Sequence, residues 1–66
     1  MNSRYMINCM WYEGVSMDDM ARCLGISKQE LYDKIYGVRE FTPEEREKAA
    51  ELLKLTQEEA AEVFDD

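Results

Sequence analysis

Residues 16–37 read SMDDMARCLGISKQELYDKIYG, and this stretch decides how the chain folds. It holds two segments with apolar residues at helical spacing, 17–24 and 28–36, and only three residues separate them. A connection this short makes two helices cross steeply, which requires a small residue where they touch. Ala21 supplies that small residue, and Gly25 supplies the unusual backbone of the turn. The stretch therefore predicts a helix-turn-helix formed by these two segments.

A Ser or Thr followed three residues later by an acid occurs four times in the chain. In this capping box the hydroxyl accepts a free amide N–H of the first helical turn, and the acid reaches back to the capping residue. The pairs are Ser16 with Asp19, Ser27 with Glu30, Thr42 with Glu45 and Thr56 with Glu59. A glycine follows each of the first three helical runs, at positions 14, 25 and 37. The sequence therefore predicts an all-α fold of five helices, near 3–13, 17–24, 28–36, 43–54 and 57–64.

The apolar residues of these five helices line up as one core, so we expect a single domain over 1–66. The helix-turn-helix occupies 17–36, and acidic C-terminal helices occupy 43–64. The predicted core consists of Met6, Met10, Val15, Met20, Ala21, Leu24, Ile26, Leu31, Ile35, Phe41, Ala49, Leu52, Leu53, Leu55, Ala60, Val63 and Phe64. The five methionines and the two cysteines, Cys9 and Cys23, fit this core as apolar filling.

The net charge of −7 is unevenly distributed. Residues 1–39 hold five cations and five anions, which sum to zero, whereas residues 40–66 hold three cations and ten anions, which sum to −7. A uniformly acidic protein would argue against nucleic acid as a partner. Because residues 1–39 are neutral overall and the acidic excess lies in residues 40–66, nucleic acid stays possible as a partner.

Several functional classes find no support in the residues. The chain has no histidine, and Cys9 and Cys23 are too far apart for a Cys-x-x-Cys pair, so we expect no metal site, cofactor or enzymatic activity. The N-terminal residues carry one arginine and no long apolar run before Trp11, so they predict neither a signal peptide nor a membrane span. We therefore expect a cytoplasmic protein without a membrane partner.

A family resemblance is carried by Gly14, Val15, Ser16, Met20, Ala21, Leu24, Gly25, Ile26, Ser27, Leu31, Lys34, Ile35, Tyr36, Gly37, Arg39, Glu40, Phe41 and Thr42. The residues up to Leu31 resemble the Cro- and phage-repressor-type helix-turn-helix domains. The continuation from Lys34 to Thr42 is similar to small phage-borne Cro-like regulators of low-GC Gram-positive bacteria. The resemblance covers residues 5 to about 64. It implies a five-helix lambda-repressor-like helix-turn-helix domain that binds double-stranded operator DNA as a homodimer in the host cytoplasm and regulates transcription, typically as a repressor.

Carried over by position, the resemblance puts the third helix in the major groove. Lys28 and Gln29 would meet base edges or phosphates, Ser16 would offer a phosphate contact, and Lys34 and Arg39 would contact the DNA backbone. The full set of implied DNA-binding residues is Ser16, Met17, Ser27, Lys28, Gln29, Tyr32, Asp33, Lys34, Tyr36 and Arg39. The sequence departs from the family pattern at four of these positions, namely Met17, Tyr32, Asp33 and Tyr36.

Two further expectations concern local pairing and assembly. Glu30 precedes Lys34 by four residues, a spacing that predicts an ion pair within the third helix. Val63 and Phe64 at the end of the fifth helix are expected either to complete the core or to form a dimer seam. With about three usable cations per protomer, a dimer with half-sites about 34 Å apart is the workable DNA-binding form.

A second functional reading is a helix-turn-helix scaffold that binds a protein, as an antirepressor or a phage-encoded inhibitor of a host or defence protein. Tyr32 and Tyr36 lie on the outer arc of the third helix, and tyrosines are favoured anchors at interfaces. The same two rings are as well explained by partial burial over a neighbouring helix. The acidic helices offer another surface, which would imitate nucleic acid and occupy the basic groove of a partner protein.

Overall fold

The computed structural model describes residues 1–64. Over that range the chain is all-helical, with no strand, as the sequence predicts. The third helix ends one residue earlier than expected and the fourth two residues earlier, whereas the other three match. The helices are α1 (Ser3–Glu13), α2 (Met17–Leu24), α3 (Lys28–Ile35), α4 (Pro43–Leu52) and α5 (Gln57–Phe64).

The predicted caps open the helices. Ser16, Thr42 and Thr56 form complete capping boxes, with hydroxyl oxygen and carboxylate each accepting a backbone N–H. Ser27 makes one half of the box, because its Oγ accepts the N–H of Glu30 at 3.1 Å. The sequence analysis missed the cap of α1, where the side chain of Asn2 accepts the N–H of Tyr5.

The helices pack around one hydrophobic core. α2 packs against both α3 and α4, while α5 packs against α1 and α4. The predicted core residues Val15, Ile26, Leu52, Leu55 and Ala60 are partly buried at its edge. The buried apolar residues are Met6, Met10, Met20, Ala21, Leu24, Leu31, Ile35, Phe41, Ala49, Leu53, Val63 and Phe64.

The start of α1 connects distant parts of the chain. The backbone N–H of Asn2 donates to the carbonyl of Val63 at 2.8 Å, which fixes the end of α5. The hydroxyl of Ser3 donates to the carbonyl of Ile35 at 2.7 Å and thereby satisfies one of the free carbonyls at the end of α3. Asn2 and Ser3 therefore hold the C-terminal ends of both α5 and α3.

The structure decides between the two expectations for Val63 and Phe64. Both are buried within the protomer, and Phe64 packs edge-on against Phe41 with ring centroids 5.5 Å apart. The guanidinium of Arg46 covers the Phe64 ring at 5.8 Å. These residues complete the core, so the dimer seam proposed for them is not supported. The predicted domain extends to residue 66, and its last two residues, Asp65 and Asp66, lie outside the described residues.

One cysteine departs from the expected placement. Cys9 packs against the core, and burial, followed by the charges of Glu59 and Glu13, raises the pKa of its thiol above the ordinary value. Cys23 is exposed on α2 rather than facing the core.

In the part of the chain that the structure covers, no helix has the length and apolar character needed to cross a membrane.

Gly25 ends α2 in the left-handed conformation, with φ 71°. A Cβ at this position meets nothing within 4 Å, so a substitution there costs conformational energy and causes no clash. We expect Gly25→Ala to lower the free energy of unfolding by about 1–2 kcal/mol. We expect Gly25→Asn to cost less, because asparagine tolerates this conformation. Urea denaturation of both variants tests this, and equal losses would contradict it.

Candidate nucleic-acid interface

One side of α3 is buried and the other faces solvent. Leu31, Lys34 and Ile35 are buried, and α3 packs against α2. Tyr32 and Tyr36 keep 40% and 58% of their surface exposed. The division follows from helical geometry, since residues three and four apart share a face. α3 therefore presents an outer face, defined here by Lys28, Gln29, Tyr32, Asp33 and Tyr36.

The connection between α2 and α3 holds this face at a fixed angle. The N–H of Ile26 donates to the carbonyl of Ala21 at 3.0 Å across the turn. Ala21, at the other end of this hydrogen bond, is buried. Ser27 and Lys28 are exposed at the start of α3. The first turn of α3, with its free amides and positive dipole end, is therefore open to solvent.

The start of α2 is also exposed, but its residues differ in accessibility. The Ser16 hydroxyl accepts the N–H of Asp19 at 3.0 Å, and an Asp19 oxygen accepts the N–H of Ser16 at 3.2 Å. These hydrogen bonds lower the pKa of Asp19 below its ordinary value. Met17, included among the implied DNA-binding residues, packs partly against the core. Of Ser16 and Met17, Ser16 is exposed and Met17 is partly buried.

The exposed cations around α3 lie close to carboxylates. Lys28 Nζ is 3.5 Å from an oxygen of Asp18, and both side chains are mainly exposed. The Arg22 guanidinium is 3.9 Å from Asp19. Pairs of this kind are worth at most about 1 kcal/mol, so a phosphate can compete for the cations. The electrostatic attraction of this surface for an anion is nevertheless reduced.

Asp33 gathers two of the predicted site residues. The Gln29 amide nitrogen Nε2 donates to Asp33 Oδ1 at 3.1 Å. Arg39 Nε lies 3.7 Å from Asp33 Oδ2. The backbone reinforces the arrangement, because the N–H groups of Val38 and Arg39 both donate to the Asp33 carbonyl, at 2.8 and 3.1 Å. Arg39 is thus held beside Asp33 on the outer face of α3.

Lys34 does not reach the surface as expected. It is buried, and its Nζ donates to Glu45 Oε1 on α4 at 2.5 Å. The expected ion pair with Glu30 is therefore wrong, because Lys34 shares the inner side of α3 with Leu31 and Ile35. Its ammonium group is committed to Glu45, so the phosphate contact predicted for Lys34 finds no support.

The tyrosines of α3 form an exposed stack. The rings of Tyr32 and Tyr36 are nearly parallel, with an interplanar angle of 8° and centroids 6.2 Å apart. Their spacing of four residues brings them together on one face. With 40% and 58% of their surfaces exposed, both rings are partly buried, as either interpretation of them allows. The two stacked rings form an exposed aromatic surface on the outer face of α3.

The sequence analysis overlooked a second aromatic site at the end of α1. Trp11 and Tyr12 are 87% and 86% exposed. Ile7, one turn before Trp11, is also partly exposed. A shallow cavity of about 300 Å³ lies next to Tyr12 and is lined also by Leu53 and Leu55. The signal was available, since the predicted core used Met6 and Met10 and left these residues on other sides of α1.

Comparison of the chain with protein-family models, with curated proteins and with solved structures gave no match. The geometry of the chain itself is therefore the basis for assigning a function.

Proposed function

We propose that the protein is a sequence-specific DNA-binding transcriptional regulator with a lambda-repressor-like helix-turn-helix, in which α3 enters the major groove. The observation that carries this proposal is the exposed outer face of α3 behind a three-residue turn. α3 is anchored through Leu31 and Ile35, while Lys28 and Gln29 face solvent at its start. A helix presented in this way fits the width of the major groove.

The residue types at the start of α3 match the chemistry of base edges. Gln29 pairs with adenine by accepting from N6 and donating to N7, and Lys28 reaches guanine or a phosphate. Ser16 and the first turn of α2 offer N–H and O–H donors to a phosphate. These contacts divide the work, because the phosphate contacts position the protein and the base contacts select the sequence.

The charge of the molecule argues for two protomers on DNA. Arg22, Lys28 and Arg39 are the cations beside α3 that remain exposed, since Lys34 is buried. Three neutralised phosphates give a slope of log affinity against log salt of about −2.7, and two protomers about −5. The dimer spans half-sites about 34 Å apart. The acidic α4 and α5 then face away from the duplex.

Selection of sites from random DNA, followed by titration of the selected duplex, tests this proposal. We expect Gln29→Ala to cost about 1–3 kcal/mol and to relax preference at one base pair per half-site. We expect Lys28→Ala to weaken binding to all sequences and to flatten the salt slope by about 1 per protomer. Lys48→Ala, an exposed cation on α4, is the matched control and should leave binding unchanged. Failure to bind any DNA at low salt would refute the proposal.

A second candidate function, a protein-binding module, is favoured by a different observation. Trp11 and Tyr12 are almost fully exposed, and aromatic anchors dominate protein interfaces. Such a module acts as an antirepressor or as an inhibitor of a host protein, and the Tyr32–Tyr36 stack offers it another surface.

The single tryptophan makes this candidate testable by fluorescence. A partner isolated from host extract and purified should shift Trp11 emission to shorter wavelength on binding. We expect Trp11→Ala to weaken the complex by about 2 kcal/mol or more, as for an interface anchor, while Lys48→Ala leaves it unchanged. An unchanged emission spectrum in the complex would rule out this surface.

A further inference from the structure

We propose that Asp33 is a specificity-determining residue, which restrains binding to DNA in general and orients Gln29 toward a base. The inference rests on the proposed DNA-binding function. Its basis is the position of one carboxylate between two groups that DNA would use. Asp33 Oδ1 accepts from Gln29 Nε2 at 3.1 Å, and Oδ2 lies 3.7 Å from Arg39 Nε.

The first consequence concerns phosphates. Asp33 sits on the outer face of α3 with a quarter of its side chain exposed, and its charge opposes that of the DNA backbone. Arg39 must leave or share this carboxylate before it can neutralise a phosphate. An exposed ion pair shifts such an equilibrium by up to about fivefold. Two protomers compound this to about 25-fold, which affects every sequence alike.

The second consequence concerns the Gln29 amide. An amide nitrogen carries two N–H groups, and one of them donates to Asp33. The other N–H and the carbonyl oxygen remain for N7 and N6 of adenine. Asp33 thus fixes the direction of the amide before DNA arrives. Base reading by Gln29 is retained while phosphate binding by Arg39 is reduced, and the ratio of selected to unrelated DNA rises.

Two variants separate these roles. Asp33→Asn removes the charge but keeps an oxygen that can accept from Gln29, whereas Asp33→Ala removes both. Glu47→Gln is the matched control, because it makes the same carboxylate-to-amide change at an exposed position on α4. Each protein is titrated by fluorescence anisotropy against a selected duplex and an unrelated duplex over a range of salt concentrations. Thermal melting confirms that each variant is folded.

We expect Asp33→Asn to bind unrelated duplex up to about 25-fold more tightly as a dimer. Arg39→Gln in the same background should abolish the gain. Asp33→Ala should show the gain and also lose the adenine preference assigned to Gln29. Glu47→Gln should change the affinity for either duplex by no more than about twofold.

The outcomes distinguish this inference from the proposed function. If the parent protein binds selected DNA and Asp33→Asn gains affinity for the unrelated duplex, the inference is supported. If the parent protein binds selected DNA and Asp33→Asn leaves both affinities unchanged, the inference is overturned while the proposed function stands. If neither protein binds any duplex at low salt, the proposed function is refuted and the inference with it.

Discussion

Glu45→Ala is expected to lower the free energy of unfolding by about 3–5 kcal/mol, because it leaves the buried ammonium of Lys34 without a partner. Lys34 Nζ and Glu45 Oε1 are 2.5 Å apart, and about a tenth of each side chain is exposed. The same carboxylate oxygen accepts the N–H of Thr42 at 2.9 Å, so the substitution also opens the cap of α4. A chain of this length has roughly 3–10 kcal/mol in total, so the variant should be largely unfolded at 37 °C.

A double-mutant cycle tests whether the loss comes from the unpaired charge. Lys34→Met in the Glu45→Ala background removes that charge and keeps a long apolar side chain, so it should recover a large part of the stability. The control is the exposed pair between Arg22 and Asp19, where Arg22→Ala should cost less than about 1 kcal/mol. Circular dichroism in urea measures the parent protein, both single variants, the double variant and Arg22→Ala. No recovery in the double variant would contradict the argument.

The dependence of stability on pH tests the contribution of the Glu45 carboxylate. Burial alone raises the pKa of Glu45, but the hydrogen bonds from Lys34 and Thr42 outweigh it and hold the pKa below the ordinary value of 4.5. A depressed folded-state pKa contributes stability that is present above the unfolded value and is lost as pH falls through the folded one. The parent protein should therefore lose stability below about pH 4.5, and Glu45→Gln should lose less over that window.

The local features of this fold were predictable because they are decided within a few residues. Ser16 and Thr42 each cap a helix through a partner three residues away, and Gly25 ends α2 as its conformational freedom predicts. The end of α4 was misplaced for the opposite reason. Lys54, rather than a glycine, takes the left-handed conformation there, with φ 56°, and no residue type in the sequence announces it.

The placement of Lys34 shows what local reasoning misses. The sequence offers Glu30 as a partner four residues away, but the actual partner, Glu45, is on another helix eleven residues on. A signal was present, because Leu31 and Ile35 flank Lys34 on the inner side of α3. Which acid meets it depends on how α4 packs, and spacing alone does not determine that packing.

The exposed aromatic residues show the same limit at the surface. Trp11 is large and apolar, so composition alone favours burial, yet it is 87% exposed. Helical spacing on α1 separates it from Met6 and Met10 but does not say whether a neighbouring element covers it. The exposed outer face of α3 was easier to predict, since the three residues between α2 and α3 and the apolar spacing of Leu31 and Ile35 already indicate which side is buried.

Leu31→Ala is expected to cost about 2–5 kcal/mol, because Leu31 is fully buried and its truncation leaves a cavity between α3 and α2. Gln29→Ala on the outer face of α3 is the matched control and should stay within about 0.5 kcal/mol. Urea denaturation at neutral pH compares the two variants with the parent protein.

The location of the damage matters as much as its size. If Leu31 anchors α3 to the core, amides of α3 should exchange with solvent much faster in Leu31→Ala, while those of α1 and α5 keep protection closer to that of the parent protein. Ser3 still holds the end of α3 through the carbonyl of Ile35, so the first turn of α3 should be affected most. That turn carries Lys28 and Gln29. The packing of Leu31 therefore supports both the stability of the fold and the position of the outer face of α3. A loss below about 1 kcal/mol would mean that the contact does not hold α3 in place.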